Sequence, residues 1–182
     1  DWSSDVCSSD LYFAKSVTDY LAQEANLTQF YDFDPDFDGF EKAINYRLQS
    51  PVNRTILCDT LKRQYIGLNY DEKQIELLLD DKTFTVTTGH QLNIFGGPLY
   101  FLYKIVSVVK LSQILKTNFP EYNFIPVYWM ATEDHDFDEI NHISLFDKTI
   151  TWDKKAEGAC GRMNPSSLDE CIQQLREILG ET

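Results

Sequence analysis

The sequence predicts an α/β fold in which a helical segment precedes a parallel sheet. Residues 83–88 alternate β-branched and aromatic side chains, which is typical of a strand. Residues 124–130 are almost continuously apolar, as expected for a parallel strand that is covered on both faces. A long apolar segment from Pro98 to Leu115 lies between these strands and is predicted to be a helix. Together the three elements form one βαβ unit, which places both strands in the same sheet.

Helical patterns fill the chain before the first strand. Apolar residues recur at helical spacing in four stretches, residues 17–27, 38–49, 52–68 and 71–79. The pair Ser50-Pro51 ends one of these helices and starts the next. The acidic and aromatic stretch around Pro35 is predicted to be an irregular connector.

The helix that begins near Pro98 is predicted to be mostly buried. Lys104, Ser107 and Lys110 recur every third residue and form one narrow polar stripe on an otherwise apolar surface. Further strands are predicted at residues 142–146 and 149–152, and a final helix at residues 168–179.

The two ends of the chain indicate a fragment. Residues 1–11, DWSSDVCSSDL, repeat Ser-Ser-Asp without an amphipathic period and are interpreted as a non-native sequence artefact. At the other end, the helical pattern stops abruptly at residues 180–182.

Composition excludes several classes of protein. The 182 residues include 29 acidic and 16 basic side chains, which gives a formal net charge of −13. This balance argues against a protein that binds nucleic acid or an anionic membrane through a basic face. No apolar run approaches the ~20 residues that span a bilayer, and no secretory signal is recognisable at the start. The four scattered cysteines form no CxxC pair and are expected to be reduced thiols.

Two polar clusters follow directly after the two predicted strands. Gly89-His90-Gln91 follows the first strand, and Glu133-Asp134-His135-Asp136 follows the second. Ligands of open α/β sheets bind outside the carboxyl ends of parallel strands. We therefore expect His90 and the acidic cluster to share one crevice.

The first cluster leads into a glycine-containing loop and a helix N-terminus. Gly96 and Gly97 allow the backbone to approach a ligand closely, and the helix N-terminus favours a phosphate or a carboxylate. Lys104 lies on the polar stripe of this helix, where it either reaches a phosphate or extends beside the core. The alternative for His90 is a hydrogen-bonded histidine in a structural turn.

The acidic cluster is open to three interpretations. It is the solvated start of a helix, or a divalent-cation site formed by Asp134, His135 and Asp136, or a site that orients a substrate ammonium group or ribose hydroxyls and supplies a general base. His142, which opens a later strand, is interpreted as structural.

Three stretches resemble the bacillithiol-synthesis cysteine-adding enzyme family. TTGHQLNIFGGPLYFLYK (87–104) is similar to the family's TGHQ…GPLY…YK signature, and IPVYWMATEDHD (125–136) is similar to its PVFWMATEDHD segment. GACGRM (158–163) resembles a third family stretch. The sequence departs from the family pattern at Gly96, where a threonine is common, and at Cys160, where an aliphatic residue is common.

The resemblance implies a Rossmann-like parallel sheet core truncated before the family's C-terminal coiled coil. Residues 12–80 are then the N-terminal helical segment packing on the core, and residues 81–182 the first part of the catalytic core and the start of an insertion. The implied protein is a cytoplasmic ligase, homodimeric at full length. It adds cysteine to the amine of glucosaminyl malate in the last step of bacillithiol biosynthesis. By fold analogy alone, ATP with Mg²⁺ activates the cysteine carboxylate.

These observations assign candidate roles to individual residues. His90, Asp134, His135 and Asp136 are predicted to be catalytic, with His90 stabilising developing charge and His135 a candidate base. The predicted substrate- or nucleotide-binding residues are Gly89, Gln91, Asn93, Gly96, Gly97, Lys104 and Glu133. Two alternatives stay open: a metal-dependent hydrolase or deacetylase that uses His90 and residues 133–136, and a non-catalytic ligand-binding scaffold.

Overall fold

A computed structural model describes residues 13–180, which form two compact units divided between Gln64 and Tyr65. The predicted artefact at residues 1–11 lies outside the described residues.

The first unit consists of three helices joined by irregular segments. They are α1 (Lys15–Leu21), α2 (Phe37–Leu48) and α3 (Arg54–Gln64), with a 3₁₀ turn at Thr28–Phe30. The Asp36 side chain caps α2 by accepting a hydrogen bond from the Gly39 N–H at 2.7 Å, and this bond lowers the pKa of Asp36.

The three predicted helices of this unit are present, but two of them are shorter than predicted. The first ends at Leu21 rather than residue 27, because Gln23 adopts a left-handed backbone with φ 56°. The third ends at Gln64 rather than residue 68, shortly before Gly67 with φ 84°.

The second unit contains both sheets and the remaining helices. Its elements in chain order are α4 (Glu72–Glu76), β1 (Thr83–Gln91), α5 (Leu99–Asn118), β2 (Asn123–Ala131), α6 (Phe137–Ile140), β3 (His142–Leu145), β4 (Lys148–Thr151) and α7 (Asp169–Leu179). Four 3₁₀ turns complete it, at Leu77–Leu79, Ile94–Gly96, Cys160–Arg162 and Pro165–Leu168.

The sheet confirms the predicted βαβ unit. β1 and β2 are adjacent and parallel, with Thr83 opposite Asn123 at one end and Gln91 opposite Ala131 at the other. The carboxyl ends of both strands therefore lie at the same edge, and α5, which connects them, packs against both. β3 and β4 form a separate antiparallel hairpin. Its two turn residues, Phe146 and Asp147, have φ values of 47° and 64°.

A hydrophobic cluster supports the segments that follow β2. Its buried members come from the loop after β1, from α6, from β4 and its end, and from the chain around α7: Ile94, Phe137, Ile140, Ile150, Trp152, Cys160 and Cys171. The aromatic rings of Phe137 and Trp152 meet edge to face with centroids 5.2 Å apart. This cluster packs beside the loop after β2 and holds the elements that follow it together.

Two predictions about burial are wrong. α5 is not mostly buried, because among its residues only Ser112 and Leu115 are fully buried, while Leu99 and Val106 keep 65% and 62% of their surface exposed. β2 is not covered on both faces either, since Trp129 and Met130 are exposed near its end. An apolar sequence indicates that a surface can be buried, but burial needs neighbouring elements that cover it. Within residues 13–180, no element covers these surfaces fully.

Two further findings concern the whole described chain. Cys58, Cys160 and Cys171 are buried, and none of them forms a disulfide with another described residue. None of the helices within residues 13–180 has both the length and the apolar character needed to cross a bilayer.

Candidate active site

Both predicted clusters lie at the carboxyl edge of the parallel pair. His90 is opposite Met130 in the register, and Gln91 is opposite Ala131, so the two clusters leave the sheet side by side. The Gln91 amide nitrogen donates to a carboxylate oxygen of Glu139 at 2.7 Å, which ties the end of β1 to α6. This hydrogen bond spans the two motifs.

The His90 ring is held at both of its nitrogens. Nε2 lies 2.7 Å from the Tyr100 hydroxyl, and Nδ1 lies 3.2 Å from the Gln91 carbonyl oxygen and 3.3 Å from the Asn93 amide nitrogen. The ring also contacts the rings of Tyr100 and Phe101, with centroids 5.2 and 5.7 Å away. His90 is therefore oriented by the first turn of α5.

Tyr128 adds a contact to the His90 backbone. Its hydroxyl donates to the His90 carbonyl oxygen at 3.3 Å, and its ring packs edge to face on Phe101. Burial raises the pKa of the Tyr128 hydroxyl, so this group stays protonated and remains a donor at neutral pH.

The loop between β1 and α5 depends on its glycines. Gly97 has φ 65° and ψ −160°, a backbone region that is essentially restricted to glycine. A Cβ at this position would lie 2.7 Å from the Asn93 Cβ, so Gly97 also permits the close packing of Asn93. Gly96, with φ 84°, has open space where its Cβ would be.

The N-terminus of α5 is open to an anion. Pro98 precedes the first helical residue, Leu99, and none of the described side chains caps this end. A 20-residue helix directs its positive dipole end and its first N–H groups toward this loop.

Lys104 extends back from α5 toward the strand. Its ammonium donates to the Gly89 carbonyl oxygen at 3.3 Å and lies 5.4 Å from the centre of the Tyr100 ring. Gly89 itself packs against Trp129, since a Cβ there would meet the Trp129 carbonyl oxygen at 3.2 Å. Lys104 therefore places a positive charge at the end of β1.

The acidic loop, residues 133–136, uses two of its carboxylates as acceptors for nearby backbone N–H groups. One carboxylate oxygen of Asp134 accepts from the Asp136 N–H at 2.9 Å, and Asp136 caps α6 by accepting from the Glu139 N–H at 3.2 Å. The side chains of Glu133 and His135 are exposed, and the His135 ring forms no hydrogen bond to another described residue. These hydrogen bonds agree with the interpretation of the cluster as a solvated helix start. They do not involve the His135 side chain, which stays accessible to a ligand.

A second segment holds the acidic loop in place. The Cys160 N–H donates to the Asp134 carbonyl at 2.7 Å, and the Gly161 N–H donates to the Thr132 carbonyl at 2.9 Å. A Cβ at Gly161 would lie 2.5 Å from the Thr132 Cβ, so this contact requires glycine. Burial, followed by the charges of Asp134 and Asp136, raises the pKa of the Cys160 thiol.

An open depression of about 650 Å³ lies over the acidic loop. It is lined by Asp134, His135, Asp136, Phe137, Asp138, Lys154 and Ala156. The Lys154 ammonium is already engaged, since it donates to the Asn164 carbonyl at 2.9 Å and lies over the Trp152 ring. Three carboxylates against one cation make this depression suited to a positively charged group. His90 does not belong to its lining, although it lies at the same sheet edge.

Two observations bear on the rival interpretations. Within residues 13–180, His, Cys, Asp and Glu side chains form no group of three or more that could hold a metal ion. The two motifs also lie together rather than far apart, which does not favour a scaffold without a site.

Sequence reasoning missed three contact residues at this edge. Hydrogen bonds to His90 or Gln91 come from three residues that the sequence does not mark as functional: Tyr100, Tyr128 and Glu139. Tyr100 and Tyr128 stand inside the quoted motifs, whereas only the fold brings Glu139 to Gln91, 48 positions away. His142 opens β3 as predicted, and its exposed side chain bonds the neighbouring Asn141 rather than packing against other residues.

The fold is that of a Rossmann-like α/β domain, and its candidate ligand site lies at the carboxyl ends of its parallel strands. Residues 7–182 match the family model described as "Bacillithiol biosynthesis BshC, N-terminal Rossmann-like domain". The chain belongs to this family.

Curated relatives agree with the family match. The chain is 47% identical to proteins named "Putative cysteine ligase BshC" from Flavobacterium psychrophilum and Flavobacterium johnsoniae, and 45% identical to one from Cytophaga hutchinsonii. These matches cover 93%, 94% and 91% of this chain, but 33%, 33% and 32% of the relatives. The chain thus spans about a third of the length of the curated relatives it matches.

Proposed function

We propose that the protein carrying this domain is the ligase that adds cysteine to the amine of glucosaminyl malate, the last step of bacillithiol biosynthesis. One observation carries the proposal: an uncapped helix N-terminus and an acid-lined depression lie at the same edge of the sheet. The relatives' name, cysteine ligase, supports the class of reaction.

The opposite charges of this edge match the substrates. Cysteine carries a carboxylate and an ammonium group, and glucosaminyl malate carries an amine and carboxylates. The α5 N-terminus with Lys104 suits a carboxylate or a phosphate, and Asp134 with Asp136 suits an ammonium group. The charge pattern therefore supports binding of two small polar molecules in a defined orientation.

Amide formation sets two chemical tasks for the side chains. The amine must lose a proton as its nitrogen attacks the cysteine carboxyl carbon, and the carboxyl oxygen must be stabilised as it gains charge. His90 and His135 are the imidazoles at this edge, so they are the candidates for proton transfer and for donating to the developing oxyanion.

The proposal includes ATP as the activating co-substrate. When bound, ATP supplies the leaving group that activates the cysteine carboxylate. The glycines at 96 and 97 and the uncapped α5 N-terminus fit a phosphate, and Gly89, Gln91 and Asn93 shape the same loop. Asp134 and Asp136 are carboxylates of the kind that magnesium prefers, with Glu133 beside them.

The proposal also covers location and assembly. A cytoplasmic reaction and a homodimer formed through a C-terminal coiled coil are supported by the family resemblance alone.

The test is a product analysis with the full-length protein that carries this domain. Incubation with cysteine, glucosaminyl malate and ATP, followed by mass spectrometry, is expected to give bacillithiol. A matched reaction with serine in place of cysteine controls for the acyl donor. Release of AMP, of ADP or of neither distinguishes the activation chemistries. Absence of bacillithiol in the complete mixture, with the protein folded, would refute the function.

A further inference from the structure

The Tyr100 hydroxyl is hydrogen-bonded to Nε2 of the His90 ring. The Tyr100 oxygen lies 2.7 Å from this nitrogen, the shortest of the three contacts that the two ring nitrogens make. The other nitrogen, Nδ1, is held by the Gln91 carbonyl and the Asn93 amide. Neither ring nitrogen is therefore left free to meet a substrate directly.

Tyr100 itself is accessible and fixed. It is the second residue of α5 and keeps 52% of its surface exposed, although its ring is held between His90 and the Lys104 ammonium. Its hydroxyl thus connects the half-buried His90 imidazole to the N-terminus of α5, which has no side-chain cap.

The contacts of His90 with the Gln91 carbonyl and the Tyr100 hydroxyl are both satisfied when the proton is on Nδ1. In that tautomer His90 donates to the Gln91 carbonyl, the Asn93 amide donates to the same carbonyl at 3.3 Å rather than to Nδ1, and the Tyr100 hydroxyl donates to Nε2. In this state His90 is the base that receives the Tyr100 proton. The arrangement parallels an activated hydroxyl oriented by a base, which is in turn oriented by a third group.

We propose that Tyr100 is a catalytic residue of the ligase reaction, and that His90 acts through the Tyr100 oxygen rather than on the substrate directly. This inference rests on the proposed function. As the amine nitrogen bonds to the acyl carbon, the N–H proton passes to the Tyr100 oxygen, and the Tyr100 proton passes to His90 Nε2. The C–O bond of the activated cysteine carboxyl breaks, and its electron pair leaves with the departing oxygen.

The first experiment compares turnover in four variants of the full-length protein. Tyr100→Phe keeps the ring that packs on His90 and Lys104 but removes the hydroxyl, and is expected to lower kcat by a factor of about 10²–10⁴. His90→Ala is expected to lose a similar factor, and the double variant no more than the worse single variant, because the two groups act as one unit. Tyr103→Phe is the matched control. It lies on the same helix, 64% exposed and without a hydrogen bond to another described residue, and is expected to leave kcat unchanged.

Several outcomes would overturn the proposal. Tyr100→Phe with a kcat within about threefold of wild type would show that the hydroxyl merely covers His90. Multiplicative losses in the double variant would show that the two residues act independently.

A second measurement does not depend on the reaction. Nitrogen-15 NMR of histidine-labelled full-length protein, with the His90 signals assigned by comparison with His90→Gln, reports the state of each ring nitrogen. Nε2 is expected to be the unprotonated acceptor in wild type, and its signal to shift in Tyr100→Phe but not in Tyr103→Phe. An unshifted signal would overturn the contact on which the pair depends. If the full-length protein forms no bacillithiol but the Nε2 signal still differs between wild type and Tyr100→Phe, the proposed function is refuted. The hydrogen bond between His90 and Tyr100 is supported in that case.

Discussion

Two histidines of this domain lie in strands but differ in their surroundings. His90 is the second-to-last residue of β1, with both ring nitrogens hydrogen-bonded and two aromatic rings against it. His142 begins β3 with an exposed ring that bonds its chain neighbour Asn141. The contrast makes the pair a test of which histidine serves the site.

We predict that His90→Ala abolishes bacillithiol formation in the full-length protein, lowering the rate by a factor of about 10²–10⁴. His142→Ala is expected to change rate and melting temperature little, because an exposed side chain contributes little packing. Rates are compared at equal folded fraction, measured by circular dichroism. A folded but inactive His142→Ala, or an active His90→Ala, would contradict the assignment.

Gly97 offers a second test at this scale. Gly97→Ala is expected to cost about 1–3 kcal/mol in backbone strain and to displace Asn93, which would lie 2.7 Å from the new Cβ. Because Asn93 contacts His90 Nδ1, kcat/KM should fall along with the melting temperature.

Gly158→Ala is the control for strain alone. Gly158 has φ 77°, and nothing lies within 4 Å of its added Cβ. Gly97→Ala should lose at least as much stability as Gly158→Ala, but kcat/KM should fall in Gly97→Ala only. Equal effects on kcat/KM would show that displacement of Asn93 does not matter to the site.

The sequence predicts residues of this site unevenly. His90 and the acidic cluster were recognisable because unusual polar residues follow apolar or β-branched strands. Tyr100 was not recognisable, because a tyrosine in an apolar helix looks like a packing residue. Its contact with His90 depends on which face of α5 meets β1, and the sequence of the helix does not specify that face. The support of the acidic loop by Cys160 and Gly161 is carried by backbone N–H groups, and no side-chain pattern in the sequence indicates which carbonyl groups they meet.

At the scale of elements, the Gln91–Glu139 hydrogen bond joins β1 to α6. Gln91→Glu places two carboxylates in contact and is expected to lower both melting temperature and kcat/KM. The lost hydrogen bond alone accounts for about 0.5–1.5 kcal/mol.

The exchanged pair is the control for this contact. In the double variant Gln91→Glu with Glu139→Gln, the amide donates to the carboxylate from the opposite side, so the melting temperature should recover. Recovery in stability without recovery in kcat/KM would show that position 91 must present an amide to a ligand. No recovery in either quantity would contradict the contact.

Element positions were predictable to within a few residues, but burial was not. Hydrophobic period and proline placement located β1, α5 and β2. The same apolar residues led to the wrong prediction that α5 is mostly buried, because covering a helix depends on neighbours that its own sequence does not describe. The hairpin turn at Phe146-Asp147 was equally hidden, since both residues adopt φ values that favour glycine or asparagine.

At the scale of the whole molecule, apolar surface remains exposed beside the site. Leu99, Leu102, Tyr103 and Val106 on α5 are more than half exposed, as are Trp129 and Met130 on β2. We predict that the isolated 182-residue chain self-associates or aggregates, because contiguous exposed apolar surface beyond a few hundred Å² is rare in monomers. Size-exclusion chromatography with light scattering measures this directly.

A control separates the patch from general instability. Replacing Leu102 and Val106 with lysine should shift the isolated chain toward monomer, since both side chains are exposed and contribute little to the fold. A monodisperse, cooperatively melting monomer of the unmodified chain would contradict the prediction.

The α/β class and the family were predictable from the whole sequence, whereas the division into two units was placed differently. The sequence suggested a helical segment extending to residue 80, and the compact units divide after Gln64, with α4 in the second unit. A helix of five residues shows no preference for either neighbour in its own pattern, so its placement depends on tertiary packing.

The parallel pairing of β1 with β2 also constrains the order in which the domain folds. Thr83 pairs with Asn123 forty positions later, so the intervening loop and α5 must close before the first rung of the ladder forms. His90 lies opposite Met130, and the acidic loop begins just beyond Ala131. The candidate site therefore lies at the end of the ladder that uses the last residues of both strands. A ribosome-bound chain that has not yet released residue 131 cannot complete this edge, and any ligand that needs both clusters would bind only chains in which pairing is complete.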